Sequence, residues 1–563
     1  MSQHGLTNQH AARGSRRRSV VAIVAVVVLV VVLAAGAGSY LLLRTKGSPR
    51  QTAASYLQSW QQRSYAAMDT VSVDVPGSGL AGPLGRAATQ LGQRRLHLVL
   101  GRVTTSGGSA LARFTATAEL ASGHTWTYPG RLQLVKRDHR WWVSWSPAAI
   151  FPGLGAGERF VLSAVWPARA QVLAADGTVL SSPQVIAQSG SISLLTGNVV
   201  TATAAQAKAL GAPYQAGDQI GQGGIEQADQ DRLAGRPSLT IRIEGPGGRR
   251  DATAAHFAAA PGAPVKTSLV LADQLAASKA VQSAATTKPV DVVVLQPSTG
   301  QVLAVVERPG GFDRALQGEF PPGSTFKVVT ASALAKTGMQ PSSTVQCPSQ
   351  VTLGGRTFHN DNNEQYGTTT LQTAFAVSCN STFALLASQR LGGPALASMA
   401  TTLGFNAKPA LGIPAALGQF TTPSQPVDLA ADAFGQGTDL VNPLSQATVA
   451  AAIEDGTWRP PVLVTSPAPV QTAQPQALSP AILGTLRPMM RAVVTSGTAA
   501  GVGFPPGVYG KTGTAQYGTG ANPPSHGWFI GYRGDLAFAV LVEGGGTGAD
   551  SAGPIANAFL RNM

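Results

Sequence analysis

Acidic residues are scarce in this 563-residue chain: 27 Asp and Glu stand against 41 Lys and Arg, for a net charge of +14. Charge of either sign is thin, at 12% of residues, and aromatics make up 6%. A basic balance suits nucleic acid only where Lys and Arg cluster on one face with stacking aromatics or within a recognisable module. The densest basic cluster is a short "RGSRRR" near the N-terminus, so no nucleic-acid partner is expected. Cysteine is nearly absent, with Cys347 and Cys379 alone. Those two and the eight histidines show no ligand spacing, so neither a metal site nor a cofactor is expected. Internal repeats are lacking too.

What the chain does have is length for about three folded units and one long apolar run. Residues 19–43, "SVVAIVAVVVLVVVLAAGAGSYLLL", carry no charge and suffice to cross a bilayer as one helix. Four arginines (Arg13, Arg16, Arg17, Arg18) precede the run. The positive-inside rule then places residues 1–18 in the cytoplasm and everything after Arg44 outside. In that oxidising compartment Cys347 and Cys379 are open to two readings, one disulfide or two separate buried thiols.

Beyond the run, residues 51–71 show Ala54, Leu57, Trp60 and Tyr65 near helical spacing and predict an amphipathic helix. The alternating stretches "RLHLVLGRVTT", "ARFTATAEL", "TWTYPGRLQLVKR" and "RWWVSWS" predict a curved antiparallel sheet. Together they make a small α+β domain over residues 47–150, read as a spacer or docking domain. Residues 151–262 are rich in short strands and Gly/Pro turns. From residue 265 helices alternate with strands, and "PVDVVVLQPSTGQVLAVV" predicts a hairpin turning at "PSTG".

Chemistry concentrates in three short motifs. In "PPGSTFKVVTASALAKTG" the Pro and Gly end what precedes, and Phe326, Val329 and Leu334 follow at near-helical intervals. Ser324 therefore falls in the first turn of a helix, with Lys327 on the same face. Serine is a weak nucleophile until a base takes its proton, and lysine serves as that base only with a lowered pKa. Burial and the positive end of the helix dipole both push it that way. In "AFAVSCNSTFALLA", Ser378 and Asn380 open another helical run and offer a hydroxyl and an amide. "GVYGKTGTAQYG" predicts a strand carrying Lys511, Thr512, Gly513 and Thr514. A glycine within that strand lets an extended peptide pair alongside it, while Lys511 and the threonine hydroxyls suit a carboxylate.

Ser-x-x-Lys, Ser-x-Asn and Lys-Thr-Gly in this order resemble the motif set of the penicillin-binding transpeptidases. "AFGQGTDLVNPLSQATVAAAI", "LRPMMRAVVTSGTA" and "HGWFIGY" resemble framework segments of the same domain, so the resemblance covers residues 265–563. Upstream, Gly221, Gly224 and Glu226 in "GQGGIEQADQDRLAG" are similar to the pedestal motif of the monofunctional, class B members, which implies a dimerisation-type pedestal over 151–262. Arg169, Asp176 and Gly177 match a second pedestal motif, with Ala170 and Ala175 where the family has glycine and arginine. Residues 47–150 resemble the cone-like N-terminal domain of the methicillin-resistance transpeptidase.

The implied fold is multidomain: one transmembrane helix, a small α+β domain, a β-rich pedestal, and an α/β transpeptidase domain with a central antiparallel sheet covered by helices. The resemblance implies roles for the catalytic set. Ser324 would attack a D-Ala-D-Ala stem peptide and Lys327 would be its base. Ser378 would relay a proton with Lys511 nearby, Asn380 would hold the substrate amide, and Thr512 and Thr514 would bind the terminal carboxylate. β-Lactams would trap Ser324. A disulfide from Cys347 to Cys379 would brace the active-site wall, and His526 is read as structural. A polytopic membrane glycan polymerase is the implied partner. A D,D-carboxypeptidase or β-lactamase shares two of the motifs, but a secreted β-lactamase needs neither anchor nor pedestal. A non-catalytic β-lactam-binding scaffold is the non-enzyme alternative.

Overall fold

The computed structural model describes residues 24–33, 47–248, 251–520 and 523–563. The expected cytoplasmic tail, 1–18, lies outside the described residues, as does most of the expected span 19–43. Residues 24–33 are helical and exposed. Among the described residues no helix is long and apolar enough to cross a membrane. The chain divides into two compact units, each assembled from more than one stretch of sequence.

The first unit takes residues up to Val165 together with 206–215 and 236–260. Helix α1, Pro49–Gln61, starts where the Ser48 hydroxyl accepts from the Gln51 amide, with proline in the first turn. Its buried stripe is Ala53, Tyr56, Leu57 and Trp60, one residue off the expected face at Ala54. The expected helix through residue 71 breaks after Gln61. Arg63 takes a φ of 58° there, and Tyr65 begins a separate short helix, Tyr65–Asp69. Strands β1 (Gln93–Ser106), β2 (Ser109–Leu120), β3 (Thr125–Arg137) and β4 (Arg140–Ser144) form the expected antiparallel sheet, extended by Ser72–Val73 parallel to β4. Strict alternation along β2 buries Ala110, Ala112, Phe114, Ala116, Ala118 and Leu120. Gly130 faces Phe114 across the ladder, and a Cβ there would enter the ring at 2.1 Å. Hence the glycine in mid-strand.

A second sheet of this unit contains β5 (Arg159–Val165), β6 (Ser238–Glu244) and β7 (Asp251–Phe257). Phe160, Leu239, Ile241 and Ile243 join the core that holds Trp60 and Phe114. The interval 151–262, read from sequence as one pedestal, is thus shared between the two units. Its remaining stretches, 166–205, 216–235 and 261–262, pack in the second unit. There Arg169 Nε meets Glu226 Oε2 at 2.6 Å, and Arg169 Nη2 donates to the Glu226 carbonyl at 2.8 Å. The pair therefore forms with Ala170 and Ala175 in place. Gly221 is required because a Cβ would lie 1.9 Å from the Glu226 carbonyl oxygen.

The second unit centres on a five-stranded antiparallel sheet. Its strands are β8 (Val290–Gln296), β9 (Gln301–Arg308), β10 (Tyr509–Gln516), β11 (Ser525–Tyr532) and β12 (Ala537–Val542), in the order β9-β8-β12-β11-β10. The β8–β9 hairpin turns over residues 297–300 as expected, and Asp535 accepts from the Ser298 amide at 2.9 Å. Buried residues follow one another without alternation along β8 and β12, which needs cover on both faces. The cover on the central strands comes from α2 (Leu271–Gln282), α6 (Pro443–Asp455) and α8 (Ala552–Asn562), while α3 (Lys327–Lys336) and α4 (Leu371–Ala376) pack on α7 (Pro480–Thr495), which lies against β10, and α5 (Asn380–Leu386) touches α3. Strand β10, with the Lys-Thr-Gly run, is left at one edge.

Candidate active site

Pro321 and Pro322 carry the chain into a 3₁₀ turn, Gly323–Phe326, that feeds directly into α3. Ser324 lies in this turn and Lys327 is the first residue of α3. The turn is wedged against β10: at Gly323, where φ is 52°, a Cβ would stand 2.6 Å from the Thr514 carbonyl oxygen. Glycine is the residue that fits both the angle and the space. Trp528 Nε1 donates to the Pro321 carbonyl at 3.0 Å, Gln446 Nε2 to Thr325 Oγ1 at 2.9 Å, and the Gly323 amide to the Gly435 carbonyl at 2.9 Å. Ser324, on so short a turn, is held from three sides.

Lys327 is fully buried. Its Nζ lies 2.8 Å from Ser324 Oγ, 3.1 Å from Ser378 Oγ, 2.6 Å from the Ser378 carbonyl oxygen and 2.6 Å from Asn380 Oδ1. Two of these four neighbours only accept, whereas the two hydroxyls can also donate. A neutral amine gives its two N–H groups to the obligate acceptors and keeps its lone pair for a hydroxyl proton. Burial first, and the charge of Lys511 second, hold Lys327 well below the ordinary lysine range. In that neutral form its lone pair can accept the proton of the Ser324 hydroxyl 2.8 Å away.

Ser378 does not open a helix as expected. It occupies the turn between α4 and α5 with a φ of 63°, and that left-handed geometry aims its hydroxyl between two lysines. Lys511 Nζ donates to Ser378 Oγ at 3.0 Å and to the Thr512 carbonyl at 2.9 Å. Burial brings Lys511 down to about 7, against the opposing pull of Asp361. Asn380 is engaged at both ends, its Nδ2 donating to the His359 carbonyl at 3.0 Å. The two cysteines are bonded to each other, with Cα atoms 6.2 Å apart. The bridge ties the residue between Ser378 and Asn380 to strand Thr344–Cys347.

Ser324, Asn380 and Thr514 open onto a cleft of about 500 Å³ shared with His359, Asp361 and Gln436. Thr512 is buried, its hydroxyl 2.6 Å from Thr498 Oγ1. Sequence reasoning missed Thr498, which sits in the loop after α7, and Gln436, whose Nε2 donates to the Thr514 carbonyl at 3.1 Å. Both fall in segments singled out only as framework. It also missed Asn360, whose Oδ1 accepts from the Ser381 amide at 3.0 Å. His526 stacks on Tyr517 at 4.1 Å, and burial lowers it to about 4. The ring is neutral and structural. Among the described residues no group of His, Cys, Asp and Glu is placed to hold a metal ion.

Residues 291–561 match the penicillin-binding protein transpeptidase domain, and residues 48–158 match an NTF2-like N-terminal transpeptidase domain. The chain is 34% identical over 335 residues to the peptidoglycan D,D-transpeptidase PbpA of Mycolicibacterium smegmatis, and 32% over 330 residues to that of Mycobacterium tuberculosis. Each match covers 48% of this chain and 66% of the relative. The fold is similar to Pseudomonas aeruginosa PBP2, solved in complex with WCK 5153, with a TM-score of 0.60 at 23% identity, covering 71% of this chain and 96% of that one. It is also similar, at a TM-score of 0.59 and 23% identity over 72% of this chain and 92% of the other, to a structure titled for the coordination of polymerization and crosslinking by a peptidoglycan synthase complex.

Proposed function

We propose, from the match of residues 291–561 to the penicillin-binding protein transpeptidase domain, that the protein is a peptidoglycan D,D-transpeptidase working through an acyl-enzyme on Ser324. The observation that carries the reading is Lys327 Nζ, buried and 2.8 Å from Ser324 Oγ. Ser324 Oγ bonds to the carbonyl carbon of the penultimate D-Ala while its proton passes to Lys327. The peptide C–N bond breaks, and the departing amine takes a proton through Ser378. The amide groups of Ser324 and Thr514 stabilise the oxyanion. Asn380 and Thr514 position the peptide, which lies along Gly513 of the free edge β10, and Thr512 supports the carboxylate site through Thr498. The amine of a neighbouring stem peptide then resolves the ester into a cross-link.

The reading extends to the setting. Residues 19–43 anchor the protein as a single membrane-spanning helix, residues 1–18 stay in the cytoplasm, and the catalytic domain works outside. Its support is the uncharged length of that run behind four arginines. The synthase complex named for one similar structure supports a polytopic glycan polymerase as partner.

Intact-mass analysis after benzylpenicillin, beside Ser324→Ala, tests the reading. A stable adduct of one drug mass that the variant lacks is the expected outcome. Drug turnover without an adduct replaces it with a β-lactamase, and no reaction with a non-catalytic scaffold.

A further inference from the structure

The cleft beside Ser324 carries an uneven charge. Among the described residues that line it, Asp361 has the single carboxylate, against the basic side chains of Arg356 and His359 and the two lysines beneath. Its field reaches both lysines, raising their proton affinity. The donor peptide and benzylpenicillin bring a carboxylate of their own. A fixed negative charge repels them. Asp361 therefore works against the first substrate.

The residue is also held in place. It opens the turn Asp361–Asn363, in which Asn362 and Asn363 take φ of 52° and 54°. Asn360, just before it, is buried and donates from Nδ2 to the Pro348 and Glu364 carbonyls, both at 2.8 Å, while its Oδ1 accepts from the Ser381 amide. One residue earlier, the His359 carbonyl accepts from Asn380 at 3.0 Å. The turn is tied to the same α5 that carries Asn380, which keeps Asp361 on the lining of the cleft onto which Ser324 opens.

We infer that Asp361 is the acceptor-binding residue of this cleft, drawing the cationic amine of the second substrate to the acyl group on Ser324. The inference rests on the transpeptidase reading. The acceptor arrives as an ammonium and loses one proton to solvent. Its nitrogen then bonds to the ester carbon, the C–Oγ bond breaks, and a second proton returns to Ser324 Oγ. Hydrolysis competes for the same ester. A carboxylate that gathers cations shifts the partition toward aminolysis.

The test uses the full-length protein in detergent, with a thioester donor and two acceptors, cationic glycinamide and neutral hydroxylamine. In Asp361→Asn the ratio of aminolysis to hydrolysis should fall about two- to fivefold more for glycinamide than for hydroxylamine, the scale of an exposed charge pair. Asp361→Glu should restore most of it, and high salt should bring wild type toward the Asn variant. An unchanged glycinamide ratio, or equal losses with both acceptors, overturns the inference. Wild type that takes no acyl group from thioester or benzylpenicillin overturns the transpeptidase reading and this inference with it.

Discussion

The two buried lysines cannot be exchanged for each other. Lys327 faces two obligate acceptors and two hydroxyls, a set that suits a neutral amine, whereas Lys511 reaches Ser378 and the Thr512 carbonyl. Lys327→Met should therefore cut benzylpenicillin acylation by at least about a hundredfold, the scale of a lost general base, measured by stopped-flow or adduct mass. Lys511 also bears on stability. The fold accommodates its neutral form and depresses it to about 7, while an unfolded chain keeps the lysine proton up to about 10.4. Between those values the unfolded state binds more protons, so native stability rises with pH across that window. Denaturant unfolding of wild type should show a steeper rise there than Lys511→Met, and equal slopes would refute the depressed pKa.

At the scale of elements, the site depends on short turns rather than long helices. Gly323→Ala forces a Cβ to within 2.6 Å of the Thr514 carbonyl at a φ of 52°. It should separate the nucleophile turn from β10 and abolish acylation while the first unit keeps its structure, as thermal unfolding and adduct mass would report. Removal of the Cys347–Cys379 bridge by Cys347→Ser with Cys379→Ser should cost about 2–4 kcal/mol. It should also slow acylation, because the bridge holds the residue beside Ser378. Full retention of rate would make the bridge purely a stabiliser.

For the whole molecule, the interleaving of the chain decides where it can be cut. The match to the NTF2-like domain ends at residue 158, yet Phe160, Leu239, Ile241 and Ile243 share a core with Trp60 and Phe114. A fragment beginning at residue 159 strips the cover from that apolar face and should aggregate, whereas one beginning at residue 47 should stay monodisperse and take benzylpenicillin. Size-exclusion chromatography of the two separates the outcomes.

The local chemistry was written in the sequence. Ser-x-x-Lys on a helical turn, the Lys-Thr-Gly strand and the hairpin at "PSTG" depend on residues three to eight apart, and at that range backbone geometry leaves little choice. The position of Ser378 was not legible, because a left-handed φ at a non-glycine residue is imposed by the packing around it. Nor were Asn360, Gln436 and Thr498, which act through partners 14 to 78 positions away. The break of α1 at Gln61 and the sharing of 151–262 between two units came from burial as well. Which apolar face finds a partner is decided by strands brought together from distant parts of the chain, and no local pattern records that meeting.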